Sequence, residues 1–383
     1  MKKVLLGTSA LALATAGASP AAAAEFEVDV GGYMEQFVAV AFSDVDTAAG
    51  VADPDVDGID SKQDAEIRFR PSITLDNGIK IGADIQLEAN TTGDTIDESL
   101  MSIDGAFGRV LLGSENSARY LMGFGAPDVT FININSGSIT GFVPFSGSVG
   151  GAARGADVFR GTLGSTFLEN ELNNDAQRFT YFTPRFAGFQ VGVSYARDPE
   201  QDSNTQVDLN GAEIADIFDI GANYVNSFGG FDVAVGGGWG IARDDRAPIA
   251  GTDVGENPQV YNFGGNFGFA GFTIGGSFAE QNNADTEDGQ VFDVGISYET
   301  GPWGFSFTYL DGENVDEENA VNPAGNDEQL QAYLLGLNYN LAKGVNVNAF
   351  GAYVDFEEDT GDAGGAGDDV DGFIIGTGIK ISF

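Results

Sequence analysis

Apolar and polar side chains alternate with a period of two along much of the chain. The clearest stretch begins at Ala65: Ile67, Phe69, Ile73 and Leu75 are interleaved with Glu66, Arg68, Arg70, Ser72 and Thr74. After Asn77-Gly78, a second series of Ile79, Ile81, Ala83, Ile85 and Leu87 is set against Lys80, Gly82, Asp84, Gln86 and Glu88. Successive side chains of a strand point to opposite faces, so this period predicts strands with one apolar and one polar face. Asn-Gly accommodates the left-handed backbone of a two-residue turn, which joins the two runs into a hairpin.

The unit recurs. Tight turns are predicted at Gly105-Ala106-Phe107-Gly108, Pro184 to Gly188, Phe228-Gly229-Gly230, Gly268 to Gly271, Gly301-Pro302 and Ala342-Lys343-Gly344. Between them lie long polar, acidic segments: Asp44 to Gln63, Asn90 to Asp97, Ala196 to Ile214, Arg243 to Asn257, Glu280 to Gln290, Asp311 to Asp327 and Phe356 to Asp371. Short turns on one side and long loops on the other are the pattern of a barrel in a bacterial outer membrane. Seven such hairpins, an opening strand (Glu25 to Ser43) and a closing strand (Gly372 to Phe383) give sixteen strands, each expected to run about ten residues. A soluble sandwich also alternates, but it buries its apolar face against a second sheet. No segment after the first two dozen residues approaches the ~18 consecutive apolar residues of a membrane helix.

The start of the chain reads as an export signal. Met1, Lys2 and Lys3 precede an apolar stretch from Val4 to about Gly17, and Ala22-Ala23-Ala24 before Glu25 fits the small-residue rule for cleavage. The expected division is residues 1–24 as cleaved signal peptide and 25–383 as barrel.

Composition narrows the chemistry. The 383 residues include 58 acidic and 17 basic side chains, 56 glycines and 30 phenylalanines, with no histidine or cysteine. That excludes a Ser-His-Asp triad, His-ligated zinc, a thiolate nucleophile and disulfides. A formal charge of −41 argues against nucleic acid, which recruits clustered Lys and Arg.

The last residues carry a further sign. Phe373, Ile375, Thr377, Ile379, Ile381 and Phe383 alternate with Ile374, Gly376, Gly378, Lys380 and Ser382. A final amphipathic strand ending on Phe383 resembles the assembly signal read by the barrel-assembly machinery of Gram-negative outer membranes. With the opening Glu25-Phe26-Glu27-Val28 and the run Arg178-Phe179-Thr180-Tyr181-Phe182-Thr183-Pro184-Arg185-Phe186-Ala187-Gly188-Phe189, the mature chain resembles the general bacterial porins, most of all the alpha-proteobacterial type. The resemblance implies a sixteen-stranded, homotrimeric, water-filled channel for small hydrophilic solutes in the cell outer membrane, surrounded by lipid and lipopolysaccharide. It also implies a third long loop folded inward, for which 116–177 is the candidate, and a second long loop, Asn90 to Asp97, that latches onto a neighbour.

Passage through such a channel requires no catalysis; side chains at the narrowest point set the field. Arg68, Arg70 and Lys80 fall on the polar phase of the second and third strands and are expected to face the lumen. The candidate loop offers the acids Asp128, Asp157, Glu169 and Glu171 and the bases Arg119, Arg154 and Arg160. Bases on the wall facing acids on the loop would make a transverse field, similar to the eyelet of the family; solvated charges without a filter role are the plainer alternative. The acidic excess predicts cation selectivity.

Two further patterns invite binding chemistry. Asp53-Pro54-Asp55-Val56-Asp57-Gly58 has the spacing that opens a calcium loop, with Asp64 at the twelfth position; a solvated acidic loop is the competing reading. The runs Gly236-Gly237-Gly238 and Gly264-Gly265 lie inside predicted strands, without the strand-to-helix context of a nucleotide site, so barrel bends or close packing account for them better. The rival functions are a substrate-specific porin, for sugars for example, and a secreted acidic calcium-binding adhesin. Phe37, Phe182 and Phe350 fall near the inward phase but are scattered along the sequence, not arranged as a ladder.

Overall fold

The computed structural model describes residues 25–46, 57–89, 95–135, 141–143, 163–169, 174–201, 214–244, 256–282, 288–315, 327–359 and 369–383. Residues 1–24, expected from the sequence as a signal peptide, and most of the expected long loops lie outside this set. The chain is a closed antiparallel barrel of sixteen strands, each paired with its sequence neighbours and the last with the first. The strands are β1 (Glu27–Asp46), β2 (Gly58–Thr74), β3 (Lys80–Glu88), β4 (Ile96–Gly105), β5 (Gly108–Ser114), β6 (Ala176–Phe182), β7 (Phe189–Gln201) and β8 (Ile214–Phe228). They continue with β9 (Phe231–Asp244), β10 (Gln259–Phe269), β11 (Phe272–Asn282), β12 (Asp288–Thr300), β13 (Trp303–Val315), β14 (Asp327–Ala342), β15 (Val345–Asp359) and β16 (Asp369–Ser382). One short helix, α1 (Ala118–Leu121), follows β5.

Strand number and order follow the hydrophobic alternation, but strand length does not. β1 has 20 residues and β2 has 17, against the expected ten or so. β7, β13 and β15 run on into segments read as acidic loops, to Gln201, Val315 and Asp359. Ladder hydrogen bonds do not require an apolar face, so pairing continues past the belt where alternation is visible. The ring closes where β1 meets β16, from Tyr33 opposite Ser382 to Asp46 opposite Asp369. Gly32 and Phe383 exchange backbone hydrogen bonds of 3.1 Å at its end.

Each strand shows two phases. On β12, Phe292, Val294 and Ile296 are exposed on the outside while Val291, Asp293 and Ser297 are buried on the inside. The outer phase carries two rows of aromatic contacts. One runs through Phe292, Tyr309, Tyr333, Tyr353 and Phe373 with neighbouring centroids 4.6–6.2 Å apart. The other includes Phe231–Phe269, Phe272–Tyr298 and Trp303–Tyr339 at 4.3–4.5 Å. On β13, Trp303 and Tyr309 belong to different rows six residues apart, or about 20 Å along the strand. Apolar side chains fill the band between, matching a lipid belt with interfacial girdles.

The inner phase departs from the simple polar expectation. Val260, Val291, Leu310, Leu330, Leu334, Val354 and Ile374 point inward and are buried in one cluster with Ile132, Ile134, Val143, Leu163 and Leu168 of the β5–β6 connection. Several strands therefore have apolar residues on both faces, one set meeting lipid and the other meeting this connection.

Candidate functional site

The connection leaves β5 and passes from strand to strand. Ser117 caps α1, its Oγ accepting from Tyr120 N at 3.2 Å, and its own N–H donates to Glu169 at 2.8 Å. Ala118 N donates to Ser194 Oγ of β7 at 3.0 Å. Arg119 donates through Nε to Asp219 of β8 at 3.1 Å and through Nη2 to the Leu168 carbonyl at 2.7 Å, with Glu169 3.5 Å away. The segment continues past β10, where Asn266 donates to the Gly125 carbonyl at 3.1 Å, and β12, where Asp293 accepts from Ala126 N at 2.9 Å. At β13, Ser306 Oγ donates to Asp128 at 3.0 Å and accepts from Val129 N at 3.2 Å.

A second pass of the same connection reinforces this line. Thr166 N donates to Asn135 Oδ1 at 2.8 Å, the Asn135 amide donates to Asp293, and Ser277 of β11 bonds Thr166 at 2.6 Å. Beyond Asp128 an aromatic group takes over: Phe131 lies 5.5 Å from Phe37, which is 6.2 Å from Phe350, and Phe350 is 6.5 Å from Phe142. The wall partners Ser194, Asp219, Asn266, Asp293 and Ser306 all belong to the phase opposite the exposed Tyr195, Phe218, Phe267, Phe292 and Phe305. A net gain of about 1 kcal/mol per hydrogen bond makes the set of contacts more important than any single one.

The wall of β1–β3 and β16 carries charge of both signs. Arg68 pairs with Asp84 and lies 3.7 Å from Glu66. Arg70 pairs with Asp29 at 2.8 Å, and Lys62 with Asp60 at 2.5 Å. Lys380 pairs with Glu35 and lies over the rings of Tyr33 and Phe131, at 4.4 and 5.9 Å from their centroids. Tyr33 donates to Asp64 at 3.0 Å. The base is the more exposed partner for Arg68 (34% against 17% for Asp84) and Lys380 (28% against 6% for Glu35), whereas Asp29 and Asp60 are more exposed than Arg70 and Lys62.

The expected site residues thus separate. Arg68 and Arg70 share the inner phase of β2, while Lys80 is exposed at the far end of β3, opposite Thr74 and Asp104. Arg119 and Glu169 do not face the channel water: both side chains are fully buried against each other and Asp219. Asp128 is held at the wall, where burial pushes its carboxyl above the ordinary aspartate range although Thr130, Ser306 and Val129 all donate to it. Asp157 and Glu171, with Arg154 and Arg160, lie outside the described residues.

The calcium spacing meets a geometric obstacle. Asp57 precedes β2 and accepts from Ser43 N at 2.7 Å, whereas Asp64 lies within the strand. Seven extended residues separate them by about 23 Å, so they do not share one ion. Asp53 and Asp55 lie outside the described residues. The predicted scatter of aromatics is also corrected: Phe37 and Phe350 are neighbours, buried beneath Phe131 and Phe142, and only Phe182 stands apart, packed with Leu111, Ala118 and Met122. Sequence reading missed Asp219, Asp293, Glu35 and Lys380. The first two had a visible signal, each being a lone acid on the inner phase of an otherwise apolar run.

A closed barrel with an apolar outer belt between two aromatic rows, and charge inside, defines a transmembrane channel of the bacterial outer membrane. A family model described as Gram-negative porin matches residues 8–359, and the chain belongs to that family. An outer membrane porin protein of Bordetella pertussis is 24% identical over 388 residues, covering 92% of this chain and 94% of that protein. A porin of Rhodobacter capsulatus is 22% identical over 254 residues, 62% of this chain and 82% of that one. Among solved structures, the anion-selective porin of Comamonas acidovorans matches with a TM-score of 0.58 at 18% identity, covering 94% of this chain and 100% of that one. In-vitro folded OmpT of Vibrio cholerae, in its trimer form, matches with a TM-score of 0.55 at 16% identity, covering 93% and 99%. At these identities the structural matches speak to the fold.

Proposed function

We propose that this porin is a passive, cation-preferring channel for small hydrophilic solutes, in which the 116–177 connection folds into the lumen and narrows it. The observation that carries the inward fold is the line of bonds from Ser194 to Ser306, each made by a residue of the inner phase. The space left for solutes then lies beside Arg68, Arg70 and Asp84 of β2 and β3, whose ion pairs among the described residues are all with the wall, and no chemical reaction is involved. Cation preference rests on charge: 58 acids against 17 bases overall, and wall bases already neutralised by Asp29, Glu35, Asp60 and Asp84. A field of that sign enriches cations at the mouths and along the passage. The anion-selective relative shares only its fold with this chain.

The test is the reversal potential of purified protein in a planar bilayer under a salt gradient. A potential on the cation side supports the reading; a potential on the anion side overturns the selectivity. A sugar-specific channel is not favoured, since the aromatics that could form a slide, Phe37 and Phe350, are only 2% and 4% exposed.

Assembly as a homotrimer is supported by the outer face of β1 and β2. Gln36 and Gln63 lie opposite each other in the belt, and Gln36 donates to Ser61 at 2.8 Å. Amides at this depth fit a contact with a second copy better than lipid tails. At the outer ends of the strands, Asp44, Asp371 and Asp355 stand side by side on β1, β16 and β15. Divalent cations held by lipopolysaccharide phosphates would offset their repulsion.

A further inference from the structure

The connection from β5 to β6 does more than bond to the inner wall: its backbone rests where the wall has no side chains. A Cβ built on Gly264 of β10 would stand 2.0 Å from the Phe124 carbonyl oxygen, and one on Gly236 of β9 would stand 2.6 Å from that of Met122. On Gly238 it would meet Arg119 Cγ at 2.5 Å, and on Gly221 of β8 Arg119 Cα at 3.0 Å. Further round the ring, Gly336 of β14 leaves room for Thr130 Cγ2 at 2.5 Å, and Gly378 of β16 for the Phe131 ring at 3.0 Å. None of these six residues has a left-handed backbone, so conformational freedom does not explain them. The same short stretch, Arg119 to Phe131, stands over all six, joined at Gly238 by the Ile220 carbonyl at 2.5 Å and at Gly378 by Phe37 and Asn348 at 2.8 Å.

We infer that these inner-wall glycines are positioning residues that set how far the connection stands off the wall, and so fix the width of the opening beside Arg68, Arg70 and Asp84. The inference rests on the inward-fold reading above and names what determines its depth. Glycine in a strand interior carries an entropic cost and contributes no packing of its own, so a row of them along one line of contact has a use in letting another backbone approach. The carbonyl of Phe124 is held closest, and it lies just before Ala126, which Asp293 clasps, so the stretch cannot slide sideways to avoid an added methyl. It has to lift. Restoring ordinary contact at 3.4 Å from 2.0 Å takes a displacement of about 1.4 Å toward the channel axis.

The experiment compares single-channel conductance of the parent, Gly264→Ala and Gly351→Ala. Gly351 lies on the outer phase of β15, where a Cβ has nothing nearer than 4.0 Å, so its variant should conduct as the parent does. Gly264→Ala should lose on the order of a quarter or more of the conductance while keeping the heat-sensitive mobility of a folded barrel. Parental conductance in a folded Gly264→Ala variant overturns the inference.

A second variant covers failure of that barrel to fold. The Ala126 Cβ lies 3.1 Å from the position of a Cβ on Gly295 of β12, and the natural chain has no cysteine. The pair Ala126→Cys and Gly295→Cys should therefore oxidise to a single disulfide, read by mass, with the same conductance before and after reduction. Absence of the cross-link in a folded barrel overturns the seating itself. Absence of channels from folded parent protein overturns the channel reading instead, and the cross-link still decides where the connection lies.

Discussion

Arg119 of the β5–β6 connection donates to Asp219 on the inner phase of β8 across 3.1 Å, and neither side chain touches water. A hundred residues separate them in sequence. A buried pair is costly to assemble, but it is costlier to break once one partner would be left charged and alone. This pair fixes the start of the connection against the wall, with Glu169 and the Leu168 carbonyl completing the shell.

Replacing Asp219 by Ala should therefore destabilise the protein by about 3–5 kcal/mol, seen as a lower temperature for loss of the folded-barrel band. The double change Arg119→Met with Asp219→Leu removes both charges together and should cost less than the single change. An additive result would show that the pair does not act as a unit.

Arg68 and Arg70 present their guanidinium groups on the inner phase of β2, beside Asp84, Glu66 and Asp29. Converting both to Ala unmasks these carboxylates, so the reversal potential should move further toward the cation limit. An unchanged potential would remove the two arginines from any part in selectivity.

At the far end of the connection, Phe131 rests on Phe37 and lies beside Lys380. Phe131→Ala should cost about 1–3 kcal/mol and raise the noise of the open channel, as this end works loose. Phe131→Leu keeps most of the apolar volume and should restore a quiet trace. Equal noise in all three proteins would count against this anchor.

The buried carboxyl of Asp128 predicts a pH response with a definite sign. Its folded-state pKa is raised by burial, so between the unfolded and folded values the native protein holds the extra proton. Its contribution to stability is then fully present below the unfolded value and is lost as pH rises through the folded one. Mild acid should tighten this part of the connection, measured as slower proteolysis of the β5–β6 segment, and Asp128→Asn should flatten the dependence. Faster cleavage on acidification would reverse the assignment.

On the outer face, Gln36 and Gln63 meet across β1 and β2. If the proposed trimer forms through this face, changing both to Arg should leave the barrel folded and abolish its SDS-resistant oligomer, measured on gels run without boiling. An oligomer of unchanged stability would place the subunit contact elsewhere.

How much of this could be read beforehand depended on what each residue faces. Strand count and order were legible because lipid imposes period two on the outer face, as in Ile67, Phe69 and Ile73. The turns were legible because Asn77-Gly78 and Gly229-Gly230 need left-handed backbone, which the structure shows at Gly78, Gly229 and Gly230. Strand ends were not, since the ladder continues where both faces are polar. The inner wall was half legible: Arg68 and Arg70 follow from phase alone, but pairing partners such as Asp219 and Arg119 depend on how one long connection runs back along strands that come after it in sequence, here with β6 and β7 between the two partners. The glycines of β9 and β10 were recognised as marks of bending or close packing, and the neighbour they accommodate is visible only in three dimensions.

The reciprocal bonds between Gly32 and Phe383 have a consequence for how the protein comes into being. A sheet with its first and last strands joined has no rim, whereas the same sheet lacking only β16 would present two rims of unmatched amide groups. In hydrocarbon each such group costs several kcal/mol, so a nearly complete barrel is not nearly stable. Membrane entry is in this sense all or nothing. The chain has to be held by a catalyst or kept in water until its last strand has arrived, and any truncation that removes the final dozen residues is expected to abolish the folded protein, not merely to weaken it.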